Sequence, residues 1–118
     1  MKQCYEKFKA IGEETRFRIT SVLAKSGLEL CAFDLIKSLK KPQYTVSKSV
    51  SILVKAGIIN ERREGKMMLY SVNRKDPQVK ALLEAVKVVS ESPCGSKDDF
   101  TRLEKCISEK QTGVCPKG

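Results

Sequence analysis

Residues 43–70, QYTVSKSVSILVKAGIINERREGKMMLY, decide the fold. Val46, Val50, Leu53 and Val54, with Ile58 beyond them, recur at helical spacing and predict one buried face. The opposite face carries Tyr44, Thr45, Ser47, Lys48, Ser51 and Lys55, hydroxyls and ammoniums of the kind that suit base edges and phosphates. Gly57 ends this helix. Residues 58–63 and 67–72 then read as two strands joined by a tight turn at Glu64, Gly65 and Lys66. A polar-faced helix followed by a basic hairpin outlines a winged helix-turn-helix. The same pattern also fits an ordinary helix packed on a hairpin with a solvated face, so the flanking sequence has to decide.

Upstream, CAFDLIKSLK reads as a helix over 31–40 with Leu35, Ile36 and Leu39 buried, and Lys40, Lys41 and Pro42 form a turn. Pro42 suits the start of the next helix, where its missing N–H costs no helical bond. Helix, short turn and helix make a helix-turn-helix. Further back, TRFRITSVLAKS predicts a helix closed by Gly27. Residues 1–11 form an amphipathic helix with Tyr5, Phe8 and Ile11 on one face. Downstream, PQVKALLEAVKVVS over 77–90 carries a broad apolar face of Val79, Leu82, Leu83, Val86 and Val89. With few core residues to cover, that face is expected to pair with its counterpart in a second subunit. Ser92, Pro93, Cys94 and Gly95 break the chain, a short helix is expected over 97–109 with Phe100, Leu103 and Ile107 apolar, and 111–118 form a polar tail. The expected organisation is a DNA-binding and dimerisation domain over 1–91 and a cysteine-containing extension over 92–118. The fold class is mainly α with a two-stranded β-wing.

A formal charge of +9 on 118 residues points to an anionic partner, and double-stranded DNA fits the helix-turn-helix. No apolar run reaches the ~20 residues needed to cross a bilayer, so no membrane partner is expected. The opening MKQCYEKFKAIGEETR lacks the apolar centre of a signal peptide, and a cytoplasmic protein is expected. The chain has no histidine, which removes His-based catalysis and His-containing zinc sites. It has no C-x-x-C, no arginine closing a phosphate loop after Cys94, no glycine-rich phosphate loop and no nucleophile elbow. An enzyme is therefore not expected, nor an organic cofactor.

The run over 14–73 resembles the ArsR (ArsR/SmtB-type) family of small dimeric repressors. The resemblance rests on Thr15-Arg16-Phe17-Arg18-Ile19, on Glu29-Leu30-Cys31-Ala32-Phe33-Asp34-Leu35, on Tyr44-Thr45-Val46-Ser47-Lys48-Ser49-Val50, and on Arg62-Arg63-Glu64-Gly65-Lys66 with Tyr70-Ser71. The four motifs stand in the family's order and are most like its arsenic-responsive members. Ser49 stands where the family often has His, and Phe33 and Ile36 where metal-sensing members often place further cysteines. The resemblance implies a homodimer through the first helix and the helix over 77–90, and a repressor on a palindromic operator. Gln43, Tyr44, Thr45, Ser47, Lys48 and Ser51 are the expected major-groove residues, and Arg62, Arg63 and Lys66 the expected wing contacts.

Five cysteines, Cys4, Cys31, Cys94, Cys106 and Cys115, in a cytoplasmic chain suggest soft-ion or redox chemistry. Three readings stand. Cys94, Cys106 and Cys115 supply three sulfurs within one tail, suited to trivalent arsenic or antimony as inducer, although their spacing matches no compact metal motif. Cys4 and Cys31 correspond to the thiols that the family's cadmium- and lead-sensing branch joins between subunits. Cys31 and Cys94 suit the layout of its persulfide- or redox-sensing members. A non-switching DNA binder, indifferent to thiol state, is the further alternative.

Overall fold

The computed structural model describes residues 2–90 and 97–110, with side chains over 5–90 and 101–107. The chain runs α1 (Lys2–Ile11), α2 (Glu14–Ser26), β1 (Leu30–Cys31), α3 (Ala32–Leu39), α4 (Gln43–Lys55), β2 (Ile59–Glu64), β3 (Met67–Val72), α5 (Pro77–Ser90) and α6 (Lys97–Lys110). Among the described residues no helix is long and apolar enough to cross a membrane.

Local chemistry sets the boundaries. Glu13 caps α2, its carboxylate accepting the Thr15 and Arg16 N–H groups at 3.1 Å each. Gly27 ends that helix at φ 65°, a left-handed value that costs glycine nothing. Cys31 is the N-cap of α3, and Asp34 reaches back to accept the Cys31 N–H at 3.2 Å. Ser and Thr usually fill such a capping box; here a cysteine does. In the hairpin, Glu64 pairs with Met67 and leaves a two-residue loop, with Gly65 at φ 63°.

The helices close over one core. Ile19 and Leu23 of α2, Leu35 and Leu39 of α3, Val46 and Leu53 of α4 and Val79 of α5 are all 1% exposed or less. Burying each such side chain contributes about 1.5–3 kcal/mol. Two features depart from the sequence reading. The sheet has three strands in the order β1-β3-β2, because Leu30 and Cys31 pair antiparallel with Tyr70 and Leu69 beside the expected hairpin. The apolar face of α5 is also divided. Val79, Leu82, Leu83 and Val86 bury into their own chain, while Val88 and Val89 stay exposed. The surface left for a second subunit is therefore smaller than the periodicity implied. It consists of Tyr5 and Phe8 of α1 with Ala81, Ala85, Val88 and Val89 of α5.

The C-terminal helix packs against α2 and α3. Its Leu103 is fully buried in the same cluster as Leu35 and Leu39, with Ile107 packed beside it. Arg102 Nε donates to Ser38 O at 2.7 Å, and Arg18 Nη2 donates to Leu39 O at 2.9 Å. Two arginines from different helices thus satisfy carbonyls at the C-terminal end of α3 that have no helical partner. The turn that follows is held by Lys40 at φ 54°.

Candidate nucleic-acid interface

The α4 helix is fixed by its inner face and free on its outer one. Val46, Val50 and Leu53 lie 3% exposed or less, so the helix cannot roll without opening the core. Gln43, Tyr44, Ser47, Lys48 and Ser51 point outward and are exposed, and Thr45 is half-buried. Tyr44 is 75% exposed, a large side chain left uncovered by the described residues. All six expected groove residues therefore lie on or at the edge of one accessible face. Pro42, the N-cap of α4, makes no side-chain cap hydrogen bond.

The wing holds its three cations in two different states. Arg63 and Lys66 are exposed and make no ion pair among the described residues. Arg62 is committed. Its Nε donates to Glu29 Oε2 at 2.9 Å, and its Nη2 donates to Glu29 Oε1 at 2.7 Å and to Glu64 Oε2 at 2.9 Å. The hydrogen bond from Arg62, followed by its charge, holds the Glu29 carboxyl below the usual carboxylate range, and the two glutamates push Arg62 further up. Sequence reading missed Glu29, because its partner lies 33 positions away and no local pattern joins them.

Composition assigned the positive charge to an anionic partner, yet several arginines serve the fold itself. Besides Arg18 and Arg102, Arg74 Nη2 donates to Ala24 O at 3.0 Å and Arg16 Nε to Ala10 O at 2.6 Å. Each guanidinium meets a carbonyl near the end of a helix, where such groups need partners.

The cysteines divide differently from expectation. Cys94 and Cys115, and the side chain of Cys4, lie outside the described residues. Cys31 and Cys106 are each 6% exposed and meet at one carboxylate. Cys31 Sγ is 3.5 Å from Asp34 Oδ2, and Cys106 Sγ donates to Asp34 Oδ1 at 3.6 Å. Asp34 is 2% exposed, so α6 seals this locus against α3. Cys31 is disulfide-bonded, while Cys106 is a buried thiol that is not in a disulfide. Among the described residues no three His, Cys, Asp or Glu side chains converge to hold a metal ion.

A family model described as "Bacterial regulatory protein, arsR family" matches residues 13–61, from the cap of α2 into β2. The chain is 43% identical over 86 residues to an uncharacterised HTH-type transcriptional regulator of Methanocaldococcus jannaschii, covering 70% of this chain and 93% of the relative. It is 36% identical over 80 residues to an arsenic resistance transcriptional regulator of Pseudomonas putida, covering 67% of this chain and 62% of that protein's length. In structure it resembles a homodimeric winged helix-turn-helix DNA-binding domain from Mycobacterium bovis. The TM-score is 0.64 at 24% identity, covering 79% of this chain and 82% of that one.

Proposed function

Because the chain belongs to the arsR family of bacterial regulatory proteins, we propose that it is a cytoplasmic, homodimeric repressor. It occupies a palindromic operator overlapping a promoter and leaves when its thiols are engaged, with trivalent arsenic or antimony as the inducer. One observation carries the reading. A helix locked into the core by Val46, Val50 and Leu53 presents Gln43, Tyr44, Ser47, Lys48 and Ser51 outward, beside a wing whose exposed Arg63 and Lys66 make no ion pair among the described residues. A helix of this kind fits the major groove, and the wing cations reach the adjoining backbone or minor groove.

Dimerisation uses the exposed apolar strip of Phe8, Ala81, Ala85, Val88 and Val89. It places the two α4 helices about one DNA turn, ~34 Å, apart. An operator overlapping a promoter blocks polymerase while it is occupied. Release needs a ligand that prefers the arrangement with low DNA affinity.

Arsenite suits the thiols because a trivalent thiophilic centre is satisfied by three sulfurs. Cys106 is a buried thiol beside Asp34, and Cys94 and Cys115 flank it in sequence, which supplies the three sulfurs without drawing on the disulfide-bonded Cys31. The Pseudomonas putida relative is described as an arsenic resistance regulator. A second reading, a persulfide- or oxidant-sensing repressor working through Cys31 and Cys94, is favoured by the disulfide at Cys31.

The test is fluorescence anisotropy of a labelled promoter duplex bound to the reduced protein. Release at stoichiometric arsenite supports the metalloid reading, and Cys→Ser variants at the five positions then name the ligands. Retention in arsenite with release by polysulfide transfers the function to the second reading. Binding indifferent to every thiol reagent marks a non-switching DNA binder.

A further inference from the structure

Arg62 and Arg63 are neighbours on one exposed strand, yet among the described residues only Arg62 has ion-pair partners. Its guanidinium is gripped by a fork of two carboxylate oxygens from Glu29, with a third oxygen from Glu64 on the same Nη2. A DNA phosphate offers a guanidinium a similar pair of acceptors, two non-bridging oxygens in a plane. Glu29 thus occupies the donors that a backbone phosphate would take. The pair sits in solvent, with the Arg62 and Glu29 side chains 52% and 39% exposed. An exposed pair of this kind exchanges partners readily, because water and salt already screen much of its attraction.

We propose that Glu29 is an internal stand-in for DNA phosphate: Arg62 rests on Glu29 in the free protein and transfers to the backbone when the wing docks. This rests on the DNA-binding reading of the wing and names a residue that reading does not contain. Arg62 then contributes affinity only where a phosphate is presented well enough to outcompete a preformed fork. On a correctly seated operator the phosphate position is fixed by the groove contacts of α4, and the exchange occurs. On unrelated duplex, loosely seated, Arg62 stays with Glu29. Glu29 therefore raises selectivity by silencing one cation during non-specific contact, as a competing interaction built against the wrong partner does.

The experiment compares wild type, Glu29→Gln, Arg62→Gln and the double variant on promoter duplex and on a random duplex of equal length, over a salt series. Glu29→Gln is expected to tighten random-duplex binding several-fold, and promoter binding less. Its log K against log salt slope on random duplex should steepen by ~0.9, the value of one additional phosphate contact. In the Arg62→Gln background the same change should do nothing. If Glu29→Gln still tightens binding without Arg62, the effect is general charge, and the proposal is overturned. It is equally overturned if Glu29→Gln weakens binding or leaves the slope unchanged, since the pair is then a structural clamp on the wing. Glu61→Gln, on the same strand and not paired to Arg62, is the charge control and should leave the slope alone. Glu64→Gln supplies a second route, with a change of the same sign but smaller. A wild type with no salt-dependent duplex binding would instead sink the DNA-binding reading itself. Wild-type binding with an unmoved Glu29→Gln slope removes only the role of Glu29.

Discussion

Cys31 and Arg62 stand in one row of the sheet, each directly across from Leu69 on the strand between them. Adjacent strands lie about 4.8 Å apart, so the two backbones are separated by about 10 Å. Glu29, which holds Arg62, comes one residue before the strand that ends in Cys31. Formation or reduction of the disulfide at Cys31 therefore has a short, hydrogen-bonded route to the wing. Cys31→Ser and Arg62→Gln should be non-additive in duplex affinity, with a coupling of about 0.5–3 kcal/mol. Strict additivity in a double-mutant cycle under reducing conditions would disconnect the row.

Affinity should depend on salt through the uncommitted cations. Lys48→Ala and Arg63→Ala are each expected to flatten the log K against log salt slope by ~0.9. A variant that keeps the wild-type slope takes its residue out of the phosphate contacts.

The docking of α6 predicts a cost for a change far from the DNA-reading face. Leu103 is fully buried, and Leu103→Ala should destabilise by about 2–5 kcal/mol. Lys105→Ala, on the exposed side of the same helix, should stay within about 0.5 kcal/mol of wild type. Urea midpoints at constant m-value read both. Equal midpoints for the two variants would mean that α6 does not belong to the cooperative unit.

Arg102→Met removes the donor to Ser38 O while keeping much of the stem. Leaving that carbonyl without its partner should cost about 1–3 kcal/mol. The thermal midpoint measures this, and no loss would show that water replaces the guanidinium freely.

Stability should also fall in acid through Glu13. Burial pushes its carboxyl up, but the N–H bonds from Thr15 and Arg16 and the charge of Arg16 outweigh that, so it lies below its ordinary value of 4.5. A depressed carboxylate stabilises the fold above its unfolded pKa and loses that contribution as pH falls through its folded one. Glu13→Ala should therefore cost about 1 kcal/mol or less near neutrality, since the side chain is 43% exposed. The gap to wild type should close as the pH drops below the carboxylate range. A gap that persists in acid would assign the loss to helix packing.

The helices and the hairpin are legible because each carries its own signal: period in Val46, Val50 and Leu53, a helix stop at Gly27, and a turn glycine at Gly65. What was not legible is non-local. Two residues, Leu30 and Cys31, have no period, and they form a strand only because Tyr70 and Leu69 lie beside them. The apolar stripe of α6 was visible in Leu103 and Ile107, but its destination on α3 was not. The helical face of α5 was read whole, although burial against its own chain takes Val79 and Val86 and leaves Val88 and Val89. Within the candidate site the outward residues of α4 followed from spacing alone. The split between Arg62 and Arg63 did not, since adjacent identical residues differ only in what the fold brings to them. Composition likewise counted Arg18, Arg74 and Arg102 as charge available to a partner, whereas each donates to a carbonyl near a helix end.

Cys31 is at once the last residue of β1 and the cap of α3. No spacer separates the sheet from the helix there, which makes chain length at this point inflexible. One residue inserted between Leu30 and Ala32 would turn α3 by about 100° against the wing, or slip β1 by one position and exchange its two faces. The hairpin tip at Gly65 and Lys66 has no such constraint and can lengthen. Homologous chains, and any redesign, should therefore vary in length at the wing tip and keep a fixed count from Glu29 to Asp34, whatever residues fill it.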